Sequence, residues 1–191
     1  MKNLFFAFLM LLGLSAHAQE TAPEANPSRW HFLEVALGVG STRHSGYLSD
    51  KRTSGDFDLS LHYYTPGDRG FWEIFIAGTK TEAGSDFSLP EGKDIKIGIV
   101  GIGPNILFHP SDAWNIGIGV GFANVSVNGD DPSDNSRTFG TFYWSGQVHY
   151  VLNDHWKLFY LTRWMNTTEK YNGSTTFWEM WTNNLGVSYR F

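Results

Sequence analysis

The chain has no cysteine. Disulfides, thiolate metal centres and a lipid-modified amino-terminal cysteine are therefore excluded. Basic residues are also few. Lys and Arg number 14 against 19 Asp and Glu, and the net charge of −5 argues against a nucleic-acid partner. Beyond the amino-terminal segment no apolar run reaches the ~18 residues that a transmembrane helix needs. Mean hydropathy is only −0.26. A helical membrane protein is excluded on those grounds.

Against these absences stand an export signal, 21 glycines and 16% aromatic residues. Lys2, the apolar run 4–14 and Ala16-His17-Ala18 are the basic start, apolar stretch and small-residue site of a secretory signal peptide. Cleavage is expected after Ala18, so residues 1–18 leave. The polar, Pro- and Ala-containing stretch 19–28 reads as a periplasmic tail. Residues 29–191 remain as one domain. Export and abundant aromatics without an apolar helix are reconciled by a transmembrane β-barrel, in which only alternate residues face lipid.

The carboxy terminus has the matching rhythm. Leu185, Val187, Tyr189 and Phe191 fall on one face, and Gly186, Ser188 and Arg190 on the other. An apolar face ending in aromatics, backed by small residues, is how a closing barrel strand reads. Seven more alternating segments precede it, at 30–41, 55–65, 71–81, 94–108, 114–127, 139–152 and 156–168, with the last at 174–191. The fold class is therefore all-β, an eight-stranded antiparallel up-and-down transmembrane β-barrel. Its outward residues include Leu33, Val35, Phe57, Leu59, Trp72, Ile74, Trp114, Ile118, Phe142 and Trp144. In the fourth strand Ile95, Ile97 and Ile99 are expected outward, and Lys96, Gly98 and Val100 inward.

Connections 66–70, 109–113 and 153–155 are short; 42–54, 82–93 and 128–138 are long and polar. Short turns face the periplasm in such barrels, and an even strand number then leaves both termini there. The location expected is the bacterial outer membrane. A soluble lipocalin-like barrel would instead want large apolar residues inside.

Eight strands enclose a lumen that side chains just fill. The inward Glu34, Asp58, His62, Glu73, Lys96, His149, Arg163 and Arg190 are therefore expected to form a plugging hydrogen-bonded network, because unpaired buried charge costs several kcal/mol. Arg43, Lys51 and Arg52, with His44, sit in a predicted loop where they could meet lipopolysaccharide phosphates. Three carboxylates in 128–135 could hold calcium, although the EF-hand spacing is absent. Gly117, Gly119 and Gly121 are spaced by two within a strand, which does not suit a dinucleotide fingerprint. Ser60 with His62, and Ser145 with His149, share inward faces, but i and i+2 residues lie ~6.5–7 Å apart.

The spacing of strands and the LGVSYRF ending resemble the small outer-membrane barrels of the OmpX, OmpW and opacity-protein type. A fainter resemblance is to PagL-type lipid A deacylases. Their His-x-Ser-Asn motif would fall on Arg163, Trp164, Met165 and Asn166, with Glu179 as the glutamate. Arginine cannot serve as a base near neutral pH, and methionine offers no nucleophilic proton. The expected function is a non-enzymatic envelope or surface-interaction role through the loops. The alternatives are a lipid A-modifying enzyme and a narrow conduit for small solutes. No cofactor and no catalytic set is expected. Expected partners are outer-membrane lipid, lipopolysaccharide and, through Leu185, Val187, Tyr189 and Phe191, the barrel-assembly machinery, acting on a monomer.

Overall fold

The computed structural model describes residues 32–46, 53–82, 94–129, 137–171 and 174–191. The expected signal peptide and tail lie outside them. So do Trp30, Lys51 and Arg52, and most of the candidate calcium loop. The strands are β1 (Leu33–Gly46), β2 (Thr53–Tyr64), β3 (Gly70–Glu82), β4 (Asp94–Ser111), β5 (Trp114–Gly129), β6 (Arg137–Val151), β7 (Trp156–Tyr171) and β8 (Ser174–Arg190). Each pairs antiparallel with its sequence neighbour, and β1 pairs with β8 from Glu34↔Arg190 to Gly46↔Trp178, so the barrel closes. Among the described residues no helix is long and apolar enough to cross a membrane.

Alternation is strict. On β5, Trp114, Ile116, Ile118, Val120 and Phe122 are exposed, while Gly117, Gly119, Gly121 and Ala123 are buried. Strands β1, β2, β3, β6 and β7 carry the same kind of band, with Leu37, Leu59, Ile76, Trp144 and Leu158 all outward. A continuous belt of exposed Leu, Ile, Val and aromatics far exceeds the ~300–600 Å² patch of a soluble monomer. Only lipid stabilises it.

The fourth strand departs from the expected phase. Ile95, Ile97 and Ile99 are buried inside, and Lys96, Gly98 and Val100 face out. Lys96 therefore does not belong to the lumen. The phase is fixed lower in the strand, where Ile102, Ile106 and Phe108 face out, and no register shift intervenes between Ile95 and Phe108. Between Ile95 and Phe108 pairing with β5 is skipped at Gly103 and Pro104, because proline has no N–H to give. Above Ile102 and Phe122 the outward neighbours become polar, namely Asn124, Ser126, Asn128 and Thr138. There the strands have polar outer faces, and the apolar face turns inward as it does in a soluble barrel.

The long-loop half of the interior consequently holds an apolar core, beside a polar group in which Thr42 and Asn184 donate to Asp56. Phe75, Ile95, Ile97, Ile99, Val125, Val127, Tyr143, Met165, Trp178 and Met180 pack there. Glycines admit its rings. A Cβ on Gly101 would fall on the Phe75 ring, and one on Gly121 would fall on that of Tyr143.

Candidate functional site

The other half of the interior holds charge. Starting at the short-turn end, the turn after β2 runs Pro66-Gly67-Asp68, with φ of 79° at Gly67 and 52° at Asp68. Glycine and aspartate are residues that tolerate this region. Asp68 accepts two hydrogen bonds from Arg190, at 2.6 and 2.7 Å. The guanidinium holds the Asp68 carboxyl below the usual carboxylate range. His109 lies 2.7 Å from the Asp68 carbonyl oxygen, and His155 Nδ1 lies 2.8 Å from that of Arg190. These groups surround an open vestibule of about 570 Å³, lined also by Asp112, Asn115, Asp154 and Lys157.

Deeper in, Lys157 donates to Glu34 at 2.5 Å, Tyr64 donates to Glu34 at 2.9 Å, and His62 Nδ1 lies 3.1 Å from Glu34. The other nitrogen of His62 lies 3.7 Å from Glu73. Arg163 then forks, with one nitrogen 2.9 Å from Glu73 and the other 2.5 Å from Asp58. Its guanidinium carbon sits 3.4 Å from the Phe75 ring centre, at the base of the apolar core. Asn105 and Gln147 also donate to Glu73, and Ser60 donates to Asp58. Glu34, Asp58, His62, Glu73, His149 and Arg163 are all buried, and all lie on this one connected network, His149 joining it through Gln147. His149 turns to Gln147, at 3.0 Å.

Lys157 was not among the expected lumen residues. Its signal was present, because it shares the inward phase of Arg163 along β7. His44 moves the other way. β1 continues through Gly46, so His44 lies in the strand, buried, with its ring 6.5 Å from that of Trp178. Among the described residues both its ring nitrogens, and the Trp178 indole nitrogen, lack a hydrogen-bond partner.

The candidate catalytic pairs do not form. Ser60 is committed to Asp58, and Ser145 donates to Asn105 at 3.2 Å. At the positions of the deacylase motif, Arg163 and Met165 point inward, while Trp164, Asn166 and Glu179 lie on the opposite face. Among the described residues no group of His, Asp and Glu is placed to hold a metal ion.

A second polar constellation lies on the outer surface. Register aligns Trp144↔Trp164, Trp164↔Trp181 and Trp181↔Arg43 in one row across β6, β7, β8 and β1. One step along β8, Glu179 Oε1 accepts hydrogen bonds from the indoles of Trp164, at 2.6 Å, and Trp181, at 2.9 Å. Arg43 is exposed beside Trp181. At the opposite rim Tyr189 packs with Trp156 and Phe191, ring centres 4.9 and 5.2 Å away.

The sequence model of a family described as "Outer membrane protein beta-barrel domain" matches residues 6–191. No curated protein sequence matches. Among solved structures, Neisserial surface protein A aligns with a TM-score of 0.68 at 14% identity, over 83% of this chain and 97% of its own. Ail, the attachment invasion locus protein of Yersinia pestis, in complex with the heparin analogue sucrose octasulfate, aligns at 0.55 and 12%, over 83% and 97%. A major outer membrane protein from Thermus thermophilus aligns at 0.51 and 12%, over 83% and 99%. At these identities the likeness is one of fold.

Proposed function

The chain belongs to the family of outer-membrane β-barrel proteins, and from that premise we propose a non-enzymatic envelope or surface-interaction role. The segments at the long-loop end carry it, and the lumen is closed to solutes. The observation behind this reading is how the interior is filled. Its charged half is spent on internal pairs through Glu34, Glu73, Asp58, Lys157 and Arg163, and its other half is filled largely by an apolar core. A conduit for ions wants a continuous wet path, and a hydrolase wants a convergent nucleophile and base. What is left to meet a partner is the outside and the long connections.

In this reading the short turns and both termini face the periplasm. Arg43, with Lys51 and Arg52, meets lipid and lipopolysaccharide phosphates at the opposite boundary. Leu185, Val187, Tyr189 and Phe191 present the lipid-facing edge that the assembly machinery engages, and the protein works as a monomer.

The test compares cells carrying the wild-type protein, a variant lacking 130–136, and no protein, for survival in detergent and attachment to coated surfaces. The shortened variant is expected to keep heat-modifiable gel mobility yet behave like cells without the protein. A shortened variant indistinguishable from wild type removes the loop role. Reproducible conductance steps in a planar bilayer remove the closed lumen.

A further inference from the structure

We propose that the interior row Met165, Met180 and His44, at the long-loop end of the barrel, binds a soft monovalent metal ion of the copper(I) or silver(I) class through two thioether sulfurs and one imidazole nitrogen. The site is separate from the charged network and does not depend on the surface-interaction reading.

The row comes from register. Met165 on β7 is the direct partner of Met180 on β8, and Met180 is the direct partner of His44 on β1. All three are fully buried. Directly opposed residues of an antiparallel pair have Cα atoms ~4.5–5.5 Å apart, so His44 and Met165 flank Met180 across about 10 Å. Long side chains on three adjacent strands can close that span around a single ion. The chain has four methionines, of which Met1 and Met10 fall in the expected signal peptide. Both of the others therefore stand side by side, next to one histidine.

Packing explains the methionines and leaves the histidine unexplained. Methionine is a common filler of apolar cores, and Met165 and Met180 pack in the core with Trp178. A neutral imidazole brings one lone pair and one N–H, and both require partners when buried. Among the described residues neither nitrogen of His44 has one, and the indole N–H of Trp178, whose ring lies 6.5 Å from that of His44, is unpaired as well. A metal ion on the His44 lone pair gives that orphaned atom a partner.

The donor set selects the ion. It contains no carboxylate, so calcium and magnesium find no oxygen cage, and zinc finds neither a thiolate nor a second histidine. Two thioethers and an imidazole are soft and neutral, which suits copper(I) and its redox-silent analogue silver(I). A single positive charge is also the least costly one to hold in apolar surroundings. A carboxylate stands near enough to balance it. Asp56 accepts from Thr42, the next inward residue along β1 from His44, and has no ion pair among the described residues.

The experiment offers silver(I) to the full barrel, residues 19–191, while it refolds from urea into detergent micelles in chloride-free buffer, so that burial does not bar entry. Native mass spectrometry and X-ray absorption at the silver edge follow. The wild type is expected to retain a single silver ion with sulfur and nitrogen neighbours, and to retain no zinc offered in the same way. M165L, M180L and H44F should each lower silver affinity by at least about tenfold, the smaller end of what changes behind metal ligands already cost. Leucine for methionine nearly conserves volume, so those two variants should fold even where H44F does not, and heat-modifiable mobility verifies it. H155F, at the short-turn mouth, should bind silver as the wild type does. A wild type that retains no silver, zinc retained as well as silver, full affinity in an M165L/M180L double variant or in folded H44F, or an equal loss in H155F overturns the assignment.

Discussion

Replacing Arg163 with methionine should be among the most damaging single changes in the barrel. The side chain is fully buried and ties Asp58, at 2.5 Å, to Glu73, at 2.9 Å. Methionine keeps apolar contact with the Phe75 ring, so the loss is electrostatic and not one of volume. Both carboxylates would be left facing each other's field without their shared cation. Breaking a buried pair in this way costs about 3–5 kcal/mol. With a urea slope of about 2 kcal/mol per M, the unfolding midpoint in lipid vesicles falls by about 2 M. The decisive control is the triple variant Arg163→Met, Asp58→Asn, Glu73→Gln. The amides keep the shape and still accept from Ser60, Asn105 and Gln147. Replacing a whole buried network is often near neutral, so most of the loss should return. Arg163→Lys should fall between, because an ammonium cannot fork to two carboxylates as a guanidinium does. A midpoint for Arg163→Met within about 0.5 M of wild type, on the same slope, or a triple variant no better than the single one, would refute the reasoning.

Three further outcomes follow from the same geometry. Gly101→Ala should destabilise by about 1–3 kcal/mol, because its Cβ lands on the Phe75 ring, while Gly98→Ala, whose Cβ meets open space, should change the same unfolding midpoint little. The Asp68–Arg190 clasp should weaken in acid: Asp68 has a folded pKa below its unfolded value near 4, so its contribution is present at neutral pH and is lost as pH falls through the folded value. The pair is half-exposed, so Asp68→Asn should cost only about 0.5–1 kcal/mol at pH 7 and flatten that acid limb, as measured by unfolding at pH 7 and pH 3. Lys157→Met strips Glu34 of its ammonium but leaves Tyr64 and His62 in place, so its midpoint should fall by less than that of Arg163→Met.

The closed all-antiparallel topology was legible because a period of 2 marks out eight segments, even where the phase within a segment is not plain, and short and long connections alternate between the first seven of them. The inward placement of Glu34, Asp58, His62, Glu73, His149 and Arg163 followed from the same phase. What alternation cannot supply is partners. Lys157 shares a phase with Arg163, but only the closure of β1 against β8 and β7 against β8 brings it to Glu34 across 123 residues of sequence. Nor does alternation reveal that Glu179 is held by two indoles, one on another strand. His44 illustrates a third limit. Thr42, Arg43 and His44 look like loop residues by polarity, but β8 offers a strand edge as far as Trp178, and pairing with it extends β1 through Gly46.

Strand β4 shows why polarity alone misplaced Lys96. A two-residue rhythm says which residues share a face and is silent about which face meets the barrel axis. That assignment depends on the solvent outside. Where lipid surrounds the wall, apolar side chains gain nothing by turning inward, and the interior must be held by hydrogen bonds and ion pairs such as Glu34–Lys157 and Asp58–Arg163. Where water surrounds the wall, burial of apolar surface is available again at roughly 25 cal/mol per Å², and Ile95, Ile97 and Ile99 go inside with Val125 and Val127. One strand obeys both rules without changing phase, because its sequence switches from Ile-out at Ile102, Ile106 and Phe108 to Ile-in above Val100. The switch itself is then a gauge of depth. On β4, β5 and β6 the row Ile102↔Phe122↔Phe142 is the last that is wholly apolar, and the next, Val100↔Asn124↔Gly140, is not. On β1 and β8 the same passage occurs between Val39↔Leu185 and Ser41↔Asn183. The lipid boundary drawn through these rows passes just below Arg43 and Trp181, while Trp144, one outward step from Phe142 toward the short turns, lies on its apolar side.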